Sequence, residues 1–375
     1  MDKSQPFLFN KQVSDKDYLS TQLITYIGNK RTLLPFIKNA IVLIKSKIQK
    51  EKIDFLDLFS GTGIVSRMVR EHANIIHCND LEKYSEITNR CYQTNQADIN
   101  DKELTNTLKK LNRIIENNLT PGFIYDLYSP KNDQDIQYGE RVFYTNRNAI
   151  FLDTFCQNIH LIPEHLYPYI LAPILSQASM YVNTSGVFKG FYKNKNGLGQ
   201  FGGTSENALS RIKKNIQLKK AIFSIYPCKS FIHRCDANKL LHNIDPVDIA
   251  YFDPPYNQHP YGSNYFMLNL LCDYKRPDKI SKVSGIPTNW NRSFYNKPKF
   301  ATKVLMDAVE NVKAKFVLIS YNSEGFIKRE EFLSELSHVG EVSVMDTRYN
   351  TFKGCRNLSD RNIYVTENLY LIDKR

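Results

Sequence analysis

The α/β class of this chain follows from the stretch Ile53-Asp54-Phe55-Leu56-Asp57-Leu58-Phe59-Ser60-Gly61-Thr62-Gly63. Its first seven residues form a short apolar run, which predicts a buried strand, and the two glycines predict a tight turn that ends this strand. Apolar residues then recur at helical spacing over residues 64–69. A strand, a glycine turn and a helix in this order indicate an α/β protein.

The same alternation extends to both sides of this stretch. A helix is predicted over about 31–50, and further strands are predicted at 73–78, 230–236, 247–252 and 316–321, with a closing pair at about 340–346 and 368–372. Between about 98 and 226 the pattern weakens and polar, aromatic and basic residues mix. We therefore expect a Rossmann-like sheet formed by residues 21–97 and 227–375, with residues 98–226 as an inserted, mostly helical domain.

Composition narrows the class of protein. The chain has 375 residues, of which 42% are hydrophobic and 23% charged, as is typical of a globular protein. Its net charge of +12 favours a polyanionic partner such as nucleic acid. No apolar run is long enough to span a membrane and the start lacks a signal peptide, so a cytoplasmic location and no membrane partner are expected. The seven cysteines are scattered, which predicts neither a disulfide framework nor a metal site.

The glycine turn predicts a nucleotide-type site. Gly61 and Gly63 allow backbone to pass close to a ligand at the carboxyl end of a strand, where open α/β sheets bind their ligands. The third glycine of a dinucleotide fingerprint is replaced by Ser66, which suits an adenosyl ligand without a pyrophosphate, such as S-adenosylmethionine. Asp80, at the end of the second strand, can accept hydrogen bonds from ribose hydroxyls, and Glu82 is the competing candidate.

A second motif, Asp253-Pro254-Pro255-Tyr256, follows the apolar strand at 247–252. An amine conjugated to a base ring is a poor nucleophile because its lone pair is delocalised. The carboxylate of Asp253 and the carbonyl of Pro254 can each accept an N–H bond and aim that lone pair at a methyl donor. Pro255 stiffens this backbone, and Tyr256 offers a ring on which a flipped base can stack. The four residues are therefore the predicted catalytic group.

Together these motifs resemble the Dam-like, alpha group of exocyclic-amino DNA methyltransferases. The segment Tyr26-Ile27-Gly28-Asn29-Lys30 is similar to the family's N-terminal cofactor motif, and the glycine turn and the tetrad follow in the order of that group. Asp236, which ends a strand before the tetrad, is similar to the residue that meets the cofactor's adenine. The segment at 320–325 also resembles a subgroup that includes restriction-system adenine methyltransferases.

The resemblance implies S-adenosylmethionine as cofactor, double-stranded DNA of bacterial or phage origin as partner, and adenine rather than cytosine as target. It implies that residues 98–226 are the target-recognition domain, and that a separately encoded restriction endonuclease is a possible counterpart. The cofactor-binding residues it implies are Tyr26, Lys30, Asp57, Phe59, Gly61, Gly63, Asp80 and Asp236.

Basic residues of the insertion are the candidate DNA contacts. Lys189, Lys193 and Lys195 alternate with aromatic and hydroxyl side chains, as expected of a segment that follows phosphates, although a solvated hairpin would have the same composition. Arg211 and Lys214 lie on a predicted helix and are expected to contact phosphates. Two other functions stay open at this stage: an amino methyltransferase for RNA, cytosine or protein glutamine, and a catalytically idle DNA-binding relative.

Overall fold

A seven-stranded mixed sheet forms the centre of the protein. The structure, a computed structural model, describes residues 18–19, 24–350 and 364–375. The strands are β1 (Ile53–Asp57), β2 (Ala73–Asp80), β3 (Lys229–Arg234), β4 (Val247–Phe252), β5 (Ala314–Asn322), β6 (Glu341–Asn350) and β7 (Tyr364–Asp373). Their order is β3-β2-β1-β4-β5-β7-β6. The first five strands in that order are parallel, and β7 runs antiparallel to both β5 and β6.

Thirteen α-helices accompany the sheet in the described residues. They are α1 (Leu34–Ile48), α2 (Ile64–Val69), α3 (Lys83–Tyr92), α4 (Asp101–Asn117), α5 (Phe123–Tyr128), α6 (Asn146–Gln157), α7 (Tyr167–Met180), α8 (Leu209–Ile212), α9 (Ala237–Leu241), α10 (Tyr261–Asn264), α11 (Phe266–Asp273), α12 (Pro298–Asn311) and α13 (Arg329–Leu336). A short 3-10 helix, Lys30–Leu33, precedes α1.

The predicted α/β fold is confirmed. Each strand expected from an apolar run is present, with shifts of a few residues at its ends. The predicted closing pair is β6 and β7, which extend to ten residues each because their antiparallel ladder continues from Glu341 paired with Asp373 to Asn350 paired with Tyr364. The described residues contain no helix that is long and apolar enough to cross a membrane.

The loops after β1 and β4 lie at the same edge of the sheet. β1 has β2 on one side and β4 on the other, and Asp57 at the end of β1 is in register with Tyr251 near the end of β4. The glycine turn and the tetrad therefore leave the sheet next to each other. This is the position at which open α/β sheets bind ligands, because the loops after the two strands diverge and leave a crevice.

The insertion shares its hydrophobic core with neighbouring elements. Residues 98–226 contain α4 to α8 and, among the described residues, no strand. Leu104 and Leu175 of the insertion belong to the same buried cluster as Tyr84 of α3 and Leu271 of α11. Burial of these side chains fixes the insertion against the catalytic region, because each buried aliphatic or aromatic side chain contributes about 1.5–3 kcal/mol. The proposed domain boundaries at 97/98 and 226/227 stay predictions, and residues 21–23 lie outside the described residues.

Candidate active site

An open cavity of about 930 Å³ lies at the carboxyl ends of β1, β2 and β4. Nine of the residues predicted from the sequence line it: Tyr26, Lys30, Asp57, Phe59, Gly61, Asp80, Asp236, Asp253 and Pro255. The cavity therefore joins residues from the N-terminal motif, the glycine turn, the ends of two further strands and the tetrad.

The glycine turn is held in place by Asp80. The amide of Gly61 donates to Asp80 Oδ2 at 2.9 Å, and the amide of Glu82 donates to Asp80 Oδ1 at 2.9 Å. Gly61 has φ +51°, and a Cβ there would lie 3.1 Å from the ring of Tyr26. At Gly63, with φ +72°, a Cβ would collide with the amide oxygen of Asn89. Both glycines are required by backbone conformation and close packing, so the turn keeps its backbone exposed to the cavity.

Asp57 offers an unused acceptor to the cavity. Its Oδ2 accepts a hydrogen bond from Ser66 Oγ at 2.5 Å, whereas Oδ1 is buried without a hydrogen-bond partner. Burial raises the pKa of this carboxyl to about 7, and the hydrogen bond from Ser66 opposes the shift. A buried acceptor without a partner is costly, so this oxygen is a fitting site for a ligand ammonium or hydroxyl group.

Two further carboxylates at the cavity wall, Asp80 and Glu82, are candidates to bind the ribose of a cofactor. Glu82 is 3% exposed, its Oε2 accepts from the amides of Asn269 and Asn291, and burial raises its pKa to about 7. Asp80 already accepts two backbone bonds, but a carboxylate has further lone pairs for ligand hydroxyls. Both residues line the cavity. The choice between Asp80 and Glu82 therefore stays a prediction in favour of Asp80.

Three tyrosines fix the N-terminal motif over the cavity. The ring of Tyr26 stacks on those of Tyr261 and Tyr265, with ring centroids 4.9 and 4.7 Å apart. The amide of Ile27 donates to Tyr265 Oη at 2.7 Å, and Tyr261 Oη donates to the carbonyl of Ile27 at 3.3 Å. The segment after the tetrad thus positions the segment before α1, and Lys30 is carried to the site with it.

Asp253 lies in a buried charge cluster. Lys30 Nζ is 3.0 Å from Asp253 Oδ1 and 2.6 Å from Glu367 Oε1, and Ser320 Oγ also donates to Glu367 Oε1. Burial raises the pKa of Asp253 to about 6; the charge of Lys30 opposes the shift and that of Glu367 adds to it. Asp253 retains 20% of its side-chain surface, whereas Lys30 and Glu367 retain 3% and 1%. The aspartate is thus the most exposed member of the cluster.

Tyr256 and the prolines complete the tetrad. Pro254 is buried and Pro255 lines the cavity. The half-buried ring of Tyr256 packs edge-on against Tyr321 at 6.1 Å between centroids, and Lys30 Nζ lies 6.0 Å from its centroid. The carbonyl of Tyr256 accepts from the amide of Phe326. These contacts hold the loop of the tetrad in place.

Asp236 caps a helix and lies at the cavity wall. It follows β3 and its Oδ1 caps α9 by accepting from the amide of Lys239 at 3.2 Å. The side chain remains exposed at the cavity wall and its second oxygen is directed to no partner described in the structure. Such a carboxylate can accept a hydrogen bond from an amino group.

The lysines predicted to contact DNA differ in exposure and in the residues they contact. Lys195 and Lys214 are exposed. Lys193 lies over the ring of Phe191 at 5.2 Å, and half-buried Lys189 is 3.4 Å from Nδ1 of His259, in the loop after the tetrad. This loop position brings Lys189 close to the active-site entrance.

Arg211 differs from its prediction. Its guanidinium donates to the backbone carbonyls of Met180, Val182 and Thr184, and the helix that carries it, α8, has only four residues. Since these bonds anchor the chain after α7, the geometry gives Arg211 a structural position rather than the phosphate contact expected from its charge.

Two groups of site residues were absent from the sequence-based predictions. Glu367 lies on β7, 337 residues from Lys30, and carried no local motif. Asn269 and Asn291, which bind Glu82, lie in α11 and in the loop before α12. For Glu367 the available signal was an acidic residue two positions before the apolar run Leu369–Ile372 of the final strand.

Comparisons with known proteins agree with this geometry. The family model for D12 class N6 adenine-specific DNA methyltransferase matches residues 26–334. The chain is 28% identical to the type II methyltransferase M.NlaIII of Neisseria lactamica, over 94% of this chain and 99% of the relative. It is 29% identical to the type II methyltransferase M.CviAII of Paramecium bursaria Chlorella virus 1, over 88% and 93% of the two chains. The modification methylase StsI of Streptococcus sanguinis is 27% identical, over 93% of this chain and 52% of that protein.

Proposed function

Because this chain belongs to the D12 class N6 adenine-specific DNA methyltransferases, we propose that its cavity binds S-adenosylmethionine beside Asp253, which receives the N6 amino group of adenine. The chain is a site-specific adenine methyltransferase of DNA, of the kind found in restriction–modification systems. The observation that carries the assignment of residues is the juxtaposition of Asp253 with the glycine turn in one cavity.

Asp253 orients the nucleophile. One oxygen of its carboxylate accepts one N–H bond of the adenine amino group and the carbonyl of Pro254 accepts the other, which localises the nitrogen lone pair. Lys30 holds the opposite oxygen at 3.0 Å and keeps the carboxylate ionised near neutral pH. Bound S-adenosylmethionine would supply an electrophilic methyl group. As the amine gains positive charge, Asp253 stabilises it and can accept a proton after transfer.

The residues of the cavity suit an adenosyl ligand with an amino acid tail. Asp57, with its unpartnered Oδ1, would bind an ammonium group. Asp80 would accept from ribose hydroxyls, and Asp236 would accept from the amino group of the adenine ring. Gly61 and Gly63 let the backbone approach the ligand, and Phe59 and Tyr26 supply apolar surface.

DNA enters from the side of the tetrad. Tyr256 would stack on the flipped adenine and offset part of the few kcal/mol that unstacking costs. Lys189, Lys193, Lys195 and Lys214 would bind phosphates from the insertion, residues 98–226, which we propose as the target-recognition domain. A separately encoded restriction endonuclease is the proposed counterpart, by analogy with the restriction–modification relatives.

The test is methyl transfer from labelled S-adenosylmethionine to unmethylated bacterial DNA, followed by nucleoside analysis and single-molecule mapping of the modified positions. Label in N6-methyladenine at one short sequence motif is the expected result. Label in N4-methylcytosine, or transfer to RNA and not to DNA, would overturn the proposal.

A further inference from the structure

One short segment carries more than half of the net charge of the chain. Residues 275–303, here termed the basic arm, contain eight Lys or Arg residues and one Asp, a net charge of +7 out of +12. The insertion, with 129 residues, contains fifteen Lys or Arg and eleven Asp or Glu, a net charge of +4. Charge density is therefore highest outside the predicted recognition domain.

The charges of the basic arm are available to a partner. Its eight cationic residues are all exposed. Arg276 pairs with Asp126 of the insertion at 3.1 Å, and within the described part of the chain none of the other seven forms an ion pair with a carboxylate. Self-repulsion among seven unpaired cations opposes folding, so a bound polyanion would relieve it.

The basic arm connects the insertion to the active site. At one end, its turn at 281–285 contacts the insertion: Ser284 Oγ donates to the carbonyl of Lys189, and Tyr128 Oη donates to that of Gly285 at 2.7 Å. At the other end, Asn296 Nδ2 donates to the carbonyl of Asn257, directly after the tetrad, at 2.8 Å.

The end of the arm nearest the tetrad also forms part of the cavity wall. Asn291, Ser293 and Asn296 all line the cavity. The arm thus runs from the segment of Lys189 to the entrance of the catalytic site.

Aromatic side chains alternate with the cations. Arg292 stacks on Trp290, with its guanidinium carbon 4.3 Å from the ring centroid. Lys297 Nζ lies 4.6 and 5.9 Å from the rings of Phe294 and Phe300, which are themselves 53% and 43% exposed. Such stacking holds long cationic side chains in place, so less conformational entropy is lost when they bind phosphate.

We propose that the basic arm binds the phosphates of duplex DNA beside the target adenine. The inference rests on the proposed function, since it takes duplex DNA as the substrate. Its chemistry is that of phosphate binding without base readout: exposed Lys and Arg on a loop attached at both ends to the protein. The insertion would then select the sequence in addition to making its own phosphate contacts.

The test compares two triple variants of equal charge. The first, Lys282→Gln, Arg292→Gln and Lys297→Gln, neutralises the arm at its turn and at the cavity entrance. The matched control, Lys45→Gln, Lys47→Gln and Lys313→Gln, removes three cations near the amino ends of β1 and β5, at the opposite edge of the sheet. Binding to a fluorescein-labelled 30-base-pair duplex is measured from about 50 to 200 mM salt.

The plot of log affinity against log salt has a negative slope, and the arm variant should make it less steep. Its magnitude should fall by about 0.9 for each phosphate that is no longer neutralised, so by about 2 to 3 in total. The KM for unmethylated DNA should rise about tenfold or more, while kcat at saturating DNA and the Kd of S-adenosylmethionine stay within about twofold of wild type. The control should keep the wild-type slope.

Three results would decide against the inference. The first is equal slopes for the arm variant and the control while wild type methylates DNA. The second is a loss of self-association on sedimentation with an unchanged slope, which would make the arm an interface between copies of the chain. If the triple variant fails to bind S-adenosylmethionine, the single variant Lys282→Gln decides, with an expected slope change of about 0.9, and an unchanged slope is the third contrary result. Absence of DNA methylation by wild type would instead contradict the proposed function itself.

Discussion

Two aspartates at opposite ends of β4 have the same kind of partner and opposite properties. Asp248, near the start of the strand, lies 2.8 Å from both Lys50 and Lys315. Asp253, which follows its end, lies 3.0 Å from Lys30. Burial acts to raise the pKa in both cases. At Asp248 hydrogen bonds from the two lysines outweigh it and lower the pKa, whereas at Asp253 the pKa rises to about 6.

Burial is the largest cause of the raised pKa at Asp253, and the surroundings of the lysines add to the difference between the two aspartates. Lys50 and Lys315 are 41% and 47% exposed, so water solvates their charges and each serves Asp248 alone. Lys30 is 3% exposed and is shared with Glu367. Cations that pair with only one carboxylate lower the pKa of that carboxylate. A second carboxylate that shares a single cation raises the pKa again. We therefore expect Asp248, at the start of β4, to contribute to stability and Asp253, after its end, to contribute to the proposed methyl transfer.

The largest expected effect is that of Asp253→Asn. An amide has one acceptor oxygen and cannot take up a proton, so the single-turnover rate of methyl transfer should fall by at least about 10²-fold. Binding of S-adenosylmethionine, measured by calorimetry, and the urea midpoint should stay near wild type. Transfer within tenfold of wild type by the folded variant would remove Asp253 from the catalytic step.

The second prediction concerns pH. Only ionised Asp253 can stabilise the positive charge that develops on the amine and take up its proton, so the rate should fall about tenfold per pH unit below about pH 6. Single-turnover rates between pH 5 and 8 measure this limb, and Asp248→Asn should leave it unchanged. A rate independent of pH over this range would show that the ionisation of Asp253 does not control transfer.

The raised pKa of Asp253 also determines how this residue affects the free energy of unfolding as the pH changes. With a folded pKa of about 6 and an unfolded pKa of about 3.9, the folded state holds the extra proton of Asp253 between these values. The stabilisation from this group is present below about pH 4 and is lost as pH rises towards about 6. Asp248 has the opposite sign, because its folded pKa is lowered.

The third prediction is that Asp248→Asn lowers the free energy of unfolding by about 1–2 kcal/mol at pH 7, with kcat unchanged. The variant loses two ion pairs whose lysines are solvated, which limits the effect. It can still accept from the amide of Asp54. Urea denaturation measures the change, and the difference from wild type should shrink as the pH falls below the ordinary pKa of an aspartate, about 3.9, because the lowered pKa of folded Asp248 makes this stabilisation disappear on acidification. A loss of methylation without a change in stability would contradict the contrast between the two ends of β4.

The smallest expected effect is that of Glu367→Gln. Removing the negative charge gives Asp253 sole use of Lys30, so the acidic limb of the rate profile should move to lower pH, by up to about one unit. Glu341→Gln, an exposed residue on the adjacent strand β6, is the matched control and should not move it. If Glu367→Gln lowers the rate equally at all pH values, Glu367 affects packing rather than the charge of Asp253.

Local sequence patterns were sufficient to predict the sheet and the two motifs. Residues 53–63 and 247–256 each combine an apolar run with a turn signal over about ten residues, so their strands and loops follow from local periodicity and from the conformational limits of Gly and Pro. Both motifs come after parallel strands, and for that reason their meeting at one sheet edge was also foreseeable. The family relationship agrees with this local signal.

Which charges act together could be learned from the three-dimensional arrangement alone. Glu367 reaches Lys30 because β7 inserts antiparallel between β5 and β6, and no local pattern encodes this contact between residues 337 positions apart. The charge of Arg211 and its position in a basic segment suggested a DNA contact, but its guanidinium donates to three backbone carbonyls. Charge is a property of the residue, whereas burial and the number of competing partners are properties of the fold. The fold therefore gives Asp248 two lysines of its own, whereas Asp253 shares a single lysine with Glu367.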